Sequence, residues 1–451
     1  MKNKIIKISK SLFKNNSSSK IINNHLKSSN QEKKSHAEFA TPFVLRNDML
    51  NLIPNSFWKN PGVKVFEPCA GKGQFVIDII KRFMNGLKDF NKIIDGVKVN
   101  LTDNEKRYKY ILKNIIYFAD INKQNILIIK LLLDPDKKYD KIINSNLGDT
   151  LSESFSPEKT FGIKGFDAVI GNPPFSKNIN QGGTIYQDFM IKAIENWIKK
   201  DGYLLFTNPP AWRKPAVFYG ESIEGSKNAL TFDLFKKNNL IYLKMLGKKG
   251  GDIFGVGSLI DFYLIQKSNY SGKTIIDSVD DEKYEINIED WNWLPNGKFE
   301  IIIDLLTDKN NCQVISGQNK FRDWSSANKK PSFMSKTEDS KYKYPVIAKI
   351  TKEKPTIIYS SNKPENNLPK VVFSESGVNK AFFDEEGKYI LSDQVYGIVV
   401  NNKKDGEKLF KLHQNEMFVD FITNYFTWSP QRTGDQKTYS YLKYKFWNYL
   451  I

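Results

Sequence analysis

FDAVIGNPPF occupies residues 166–175. Phe166 to Ile170 is a short apolar run of the kind that forms a buried strand, and a Gly-Asn-Pro-Pro-Phe segment ends it abruptly. Two consecutive prolines fix the backbone and remove two N–H donors. The carboxamide of Asn172 and the carbonyl of Pro173 are thereby left as acceptors for an amino group, with Pro174 holding the turn and Phe175 as an aromatic wall. Such a pocket suits a planar amine. The plainer reading is an ordinary proline-rich turn, which the place behind a buried strand disfavours.

Working outward, the chain from Val63 to Lys267 alternates short apolar runs with helical segments, the pattern of a parallel sheet covered on both faces. VKVFEP (63–68) reads as the first strand and GQFVIDIIKRFM (73–84) as the helix after a glycine turn. NIIYFADIN (114–122) and KQNILIIKLLL (123–133) repeat the unit. Tyr186 to Lys200 reads as a helix closed by Asp201 and Gly202, with Tyr203 to Thr207 as the next strand. The fold class is therefore α/β, a doubly wound Rossmann-like sheet. Beyond Lys267 shorter β-like runs such as PTIIYS, KVVFSES and VYGIVV predict a mixed α+β, mostly β domain. The expected organisation is a basic flexible tail (1–34), a catalytic domain (35–270) and a second domain (271–451).

The formal net charge is +18, a field that favours polyanions. It is unevenly spread: +8 in residues 1–34, +9 in 35–270 and +1 in 271–451. The Lys-, Asn- and Ser-rich tail reads as a solvated arm, a nucleic-acid arm or an organelle presequence. Its lack of Arg weakens the last. No apolar run reaches the roughly 18–20 residues of a membrane span, which predicts a soluble, intracellular protein, cytoplasmic or nucleoid-associated, without a membrane partner. Cys69 and Cys312 cannot make a disulfide framework, and three scattered histidines (His25, His36, His413) give no ligand spacing, so metal-free chemistry is expected.

EPCAGKGQF (67–75) lies between a strand and a helix, where glycines let a ligand approach the backbone and the helix start offers free N–H groups. Asp120 ends the next strand, where a carboxylate can accept both hydroxyls of a ribose. Together with FDAVIGNPPF these segments resemble the amino-methyltransferases that use S-adenosylmethionine to methylate adenine at N6 in DNA. HAEFATP (36–42) resembles their motif X, preceding the Gly-rich motif I and the NPPF motif. That order is the one of the gamma class, as in type II restriction-modification systems, in which a target-recognition domain follows the catalytic one.

The resemblance implies that Phe39, Thr41 and Pro42 flank the methionine end of S-adenosylmethionine, with Glu67, Pro68, Ala70, Gly71 and Gly73 lining the loop beneath. Asp120 and Ile121 hold the ribose and adenine face, and Asp149, in a segment resembling motif III, takes the adenine amino group. Asn172, Pro173, Pro174 and Phe175 form the catalytic site for a flipped adenine, Phe175 stacking on it and Tyr186 as the opposite wall. About fifty residues separate motif I from Asp120, so an insertion lies near Lys88–Tyr110, and Asp103 or Glu105 competes for the ribose. A second Asn-Pro-Pro, at Asn208 to Pro210, is followed by Ala211 and reads as structural. Pro68-Cys69 superficially matches the nucleophile of cytosine-C5 enzymes, but Cys69 sits in the cofactor loop and reads as packing.

Double-stranded DNA is the expected partner and a monomer the expected state, with residues 271–451 as reader through patches such as Lys329–Lys330, Lys336 and Lys341–Lys343, or WSPQR (428–432). No nuclease array is apparent, so a separate cognate endonuclease is the way cleavage would enter. RNA adenosine-N6, release-factor glutamine and cytosine-N4 methylation remain the alternatives, beside a catalytically silent nucleic-acid-binding module.

Overall fold

Val65–Glu67 forms β1, and all three of its residues are buried, the carboxylate of Glu67 included. It is the middle one of five neighbouring parallel strands, in a sheet built as the alternation predicts. The computed structural model describes residues 3, 5–9, 39–94, 96–176, 184–322, 330–351, 354–364, 368–375, 377–429 and 434–450. Most of the basic tail, His36 to Glu38, Lys329 and Pro430 to Arg432 lie outside the described residues.

Phe43–Asn51 is α1, entered through Pro42, and β1 leads through the Gly loop into α2, Gln74–Gly86. Gly73 caps α2 at φ +82°, and a Cβ there would lie 2.8 Å from Ile129 Cγ1, so both conformation and space require glycine. The expected insertion follows. It is a two-stranded hairpin, β2 (Asn91–Ile94) and β3 (Val97–Asn100), then α3 (Asn104–Asn114). Next come β4 (Ile116–Asp120), α4 (Lys123–Leu133), β5 (Asn144–Leu147) and β6 (Phe166–Gly171).

After β6 the helix is shorter than expected. α5 spans Tyr186–Lys192, a π-turn takes Ala193–Trp197, and β7 runs Ile198–Asn208. Ile198 pairs with Phe166, and Lys199 meets Asp167 across the strands at 2.9 Å, so strand pairing overrides the helix propensity of the lysines. α6 (Lys227–Lys237), β8 (Asn239–Leu246), α7 (Gly247–Phe254) and β9 (Ile260–Gln266) follow. The sheet then continues past Lys267 through β10 (Thr274–Asp277) and β11 (Lys283–Ile286).

The nine strands are ordered β11-β10-β8-β9-β7-β6-β1-β4-β5. β5, β4, β1, β6 and β7 are parallel neighbours, and β9 is antiparallel to both β7 and β8. Two compact units result: residues 1–212 with 230–291, and residues 213–229 with 292–451. The division thus falls at 291/292 rather than 270/271, because β10 pairs with β8 and buries Ile276 completely. The start of the tail also departs from a free arm. Residues 5–9 are helical, Ile5 and Ile8 enter the first unit's core one turn apart, and Ser9 Oγ donates to the Leu132 carbonyl at 2.6 Å.

The second unit is mostly β, as expected. It holds two four-stranded sheets, one formed by residues 314–316, 395–399, 370–374 and 377–384 and the other by residues 334–335, 354–360, 344–351 and 390–391. A buried ion pair, Lys370 to Asp384 at 2.6 Å, ties the edge of the first sheet.

A chain ending at 270 loses β10 and β11 and opens the β8 edge, whereas one ending at 291 keeps the sheet whole. The burial of Ile276 alone amounts to about 2 kcal/mol. The shorter fragment is therefore expected to melt roughly 5 °C or more below the longer one in calorimetry; equal Tm values would put the boundary back at 270.

Candidate functional site

The parallel strands β1, β4, β5 and β6 end on one edge, and there the loops that follow them enclose a cavity of about 250 Å³. Glycine backbone comes first. Gly71, at φ +52°, turns the β1–α2 loop so that its N–H donates to Asp120 Oδ2 at 2.7 Å, while Ala70 N–H reaches the Ala119 carbonyl at 2.9 Å. Asp120 Oδ1 accepts from Asn122 N–H at 2.7 Å and Asn125 Nδ2 at 3.2 Å. The carboxylate therefore locks two neighbouring loops together at the end of the sheet. Each of its oxygens has capacity for more than one donor.

Of the residues singled out from sequence, Phe39, Thr41, Glu67, Pro68, Ala70, Gly71, Asp120, Ile121, Asp149, Asn172 and Pro174 line this cavity. The competing acids do not. Asp103 caps α3 through the Lys106 N–H, and Glu105 bonds Lys138 and Tyr139 on the surface. Pro42 and Gly73 stand behind the lining as helix starts.

Asn172 donates its Nδ2 to the carbonyl of Phe39 at 2.9 Å, which turns Oδ1 the other way, buried and without a hydrogen-bond partner. Thr41 Oγ1 and Glu67 Oε2 are likewise buried without partners. Three such atoms around one cavity are costly in an empty protein. They fit a ligand with its own donors and acceptors. Burial pushes the Glu67 carboxyl well above the usual range; Arg46 opposes this, Asp120 and Asp78 add to it, and a Val76 N–H bond opposes it. Burial also raises the Cys69 thiol, with Glu67 and Asp120 adding. Cys69 lines the cavity as a protonated thiol, not as an activated nucleophile.

Phe175 stacks on Phe39, centroids 6.4 Å apart and 14° between planes, and meets Phe254 of α7 edge-on at 6.3 Å. Tyr186 requires correction as the opposite wall. It is fully buried at the start of α5 and is not part of the lining, which takes Ile185 and Phe189 from that region. Its ring is the first residue of a helix packed into the core. Asn208 of the second Asn-Pro-Pro is also fully buried and donates to Tyr263 Oη at 2.7 Å, away from the cavity.

The sequence did not signal Arg46 or Asp78. Arg46, on α1 and fully buried, donates Nε to Asp78 Oδ2 of α2 at 2.7 Å and Nη1 to the Thr41 carbonyl. One guanidinium thereby joins the Phe39–Thr41 segment to the helix after the Gly loop. The partners are 32 residues apart, beyond any local pattern. Among the described residues there is no cluster of three or more His, Cys, Asp or Glu placed to hold a metal, and no helix is long and apolar enough to cross a membrane.

The sequence profile of the N-6 DNA methylase family matches residues 21–205. An uncharacterized adenine-specific methylase of Mycoplasma pneumoniae is 24% identical over 316 residues, 53% of this chain and 69% of that protein. The stretch matched by that profile contains every residue that lines the cavity, from Phe39 to Phe189. Among solved structures, the type I restriction enzyme EcoKI M protein is 18% identical with a TM-score of 0.33, over 47% of this chain and 43% of its own. The type IIL restriction-modification enzyme MmeI in complex with DNA is 12% identical with a TM-score of 0.46, over 98% of this chain and 67% of its own. The chain spans less than half the length of the EcoKI M protein.

Arg46→Met leaves Asp78 buried without its cation. Breaking a buried pair from one side costs about 3–5 kcal/mol, and the expected result is a lower urea midpoint with an unchanged slope. An unchanged midpoint would show that the pair is not a strut of this unit.

Proposed function

We propose that this chain transfers a methyl group from S-adenosylmethionine to the N6 amino group of an adenine flipped out of a specific sequence in double-stranded DNA. The observation that carries this is the trio of buried, unpartnered acceptors and hydroxyl, Thr41 Oγ1, Glu67 Oε2 and Asn172 Oδ1, around one cavity at the end of a parallel sheet. S-adenosylmethionine, when bound, supplies a methyl group already activated by its sulfonium. Thr41 and Glu67 would hold its amino-acid end, Asp120 and Ile121 its ribose and adenine face, and Asp149 the adenine amino group.

An exocyclic amine is a poor nucleophile because its lone pair is delocalised into the ring. Asn172 Oδ1 and the Pro173 carbonyl, accepting its two hydrogens, favour a tetrahedral nitrogen and localise that pair. Transfer then needs orientation and charge placement, with no covalent intermediate on the protein. Phe175 presents its ring to the base. Flipping costs a few kcal/mol, which phosphate and base contacts must offset. The second unit, residues 213–229 with 292–451, is the proposed reader of the sequence.

Incubation with duplex DNA and methyl-labelled donor, followed by mapping of modified bases, tests the reading directly. N6-methyladenine at one sequence supports it; label confined to RNA, to a glutamine peptide or to cytosine N4 replaces it with the corresponding alternative. Asn172→Ala is expected to lower kcat roughly 10²–10³-fold while the donor Kd changes far less. Equal loss of both would remove Asn172 from the transfer step.

A donor whose ammonium meets Glu67 binds its ionised form, and Glu67 holds its proton above the usual carboxylate range with Arg46, Asp78 and Asp120 as its charged neighbours. Donor affinity should therefore rise as the pH is raised above the usual carboxylate range and that proton is released. In Glu67→Gln, titration calorimetry should find weaker binding with that pH dependence gone. An identical pH profile in the variant would place the titrating group elsewhere.

A further inference from the structure

The second unit has a cavity of its own, about 160 Å³, at one end of the sheet that contains strands Tyr344–Thr351, Lys354–Ser360 and Ile390–Leu391. Tyr344 pairs with Ser360 and Val346 with Ile390, so the end of one strand and the starts of the other two meet there. The floor is apolar, with Phe321 and Ile390 buried in the core cluster of that sheet. The mouth is polar. Gln318, Lys320, Asn362 and Lys363 line it, Gln318 half-buried and the other three exposed. Neither carboxamide hydrogen-bonds to another described residue.

Both carboxamides hang from main chain that is fixed. Gln318 N–H donates to the Leu391 carbonyl at 3.0 Å, and a Cβ on the preceding Gly317 would collide with the Ser392 carbonyl, so glycine lets the segment press against the sheet. Asn362 N–H donates to Oγ of the fully buried Ser360 at 3.0 Å, and Ser361 N–H to the Phe333 carbonyl at 2.9 Å. Amides on such backbone hold their spacing when a ligand arrives.

Lysines gather at this end of a unit whose sequence is near neutral. Lys341 and Lys330 flank the Tyr342 ring at 5.1 and 5.5 Å in the turn before Tyr344, with Asp339 as the acid facing them, and Lys320 lies over Phe321 at 5.1 Å. Each carboxamide of the groove has a lysine within two residues of it in sequence. The two residue types serve different parts of a duplex. A lysine answers a phosphate whatever the base, whereas a carboxamide offers a donor and an acceptor side by side, the complement of the N7 and N6 edge of adenine.

We infer that this groove reads an A·T pair of the target other than the one methylated, Gln318 and Asn362 bonding to the base edge and Lys320 and Lys363 to the phosphates beside it. The role rests on the reading above of a DNA methyltransferase whose second unit is the reader.

Mapping of methylated sites across a library of duplex DNA, with salt-dependent DNA binding measured on the same full-length variants, tests it. The wild type should demand an A·T pair at a position it does not methylate. Asn362→Ala and Gln318→Ala should each relax that one position, by about 10-fold or more in relative rate, and leave the donor Kd unchanged. Lys363→Ala should weaken binding to every duplex alike and lower the salt slope by about 1. A methylated site unaltered in both carboxamide variants overturns base reading by the groove. Relaxation at all positions together overturns it too, since that reports a loosened unit instead of a lost contact. An unchanged slope in Lys363→Ala overturns the phosphate contact. If Gln318→Ala does not fold, Asn362→Ala, on an exposed side chain, decides alone. A wild-type chain that methylates no duplex DNA sinks the functional reading itself, and this role with it.

Discussion

Asp120 holds the site together. Its carboxylate sits at the end of β4 and takes the Gly71 N–H of the loop after β1, so two adjacent parallel strands are joined where their loops diverge. A backbone N–H to a buried carboxylate is a strong, short bond, and it is made here by a glycine whose conformation leaves the amide exposed to it. That tie acts beside the bond from Ala70 N–H to the Ala119 carbonyl in fixing the Gly loop to β4. With it, Glu67, Lys72 and the start of α2 face the same space as Asp149 and Asn172. The arrangement is one of fixed dipoles, in which little has to move when a charged ligand arrives.

Much of this was legible because it is local. The strand FDAVI and its Asn-Pro-Pro-Phe end, the Gly loop, and the acid at the end of the next strand each carry their geometry within a few residues. Asp120 lines the cavity and Asp103 and Glu105 do not, for a reason the sequence does contain, since Asp103 directly precedes a helical pattern as a capping residue and Glu105 follows in its first turn. What stayed hidden depends on pairs distant along the chain. Arg46 finds Asp78 only after two helices pack, and Tyr186 reads as an aromatic near the motif although packing places it in the core.

The domain boundary was misplaced for a related reason. The shorter β-like runs after Lys267 differ in composition from the parallel strands, but β10 and β11 complete the edge of the same sheet. A strand at a sheet edge has one partner fewer and tolerates the polar composition of a second domain. Conversely, residues 213–229 are interposed between β7 and β8 in sequence but group with the second unit: Arg213 donates to the carbonyls of Leu294 and Pro295, and Tyr219 N–H to Ser440 Oγ. Composition cannot announce such an exchange, because long-range bonds decide it.

The bond from Asn172 Nδ2 to the Phe39 carbonyl has a wider implication. A carboxamide has two ends of opposite polarity, nearly identical in shape, and which end faces the cavity is settled by what the other end grips. Here the grip is on main chain. No substitution of the side chain at residue 39 deletes a carbonyl, so the sense of the amide at 172 is insulated from sequence drift at its partner. The two positions can then evolve under separate demands: residue 39 for the aromatic surface it offers to Phe175, residue 172 for the single acceptor it points inward.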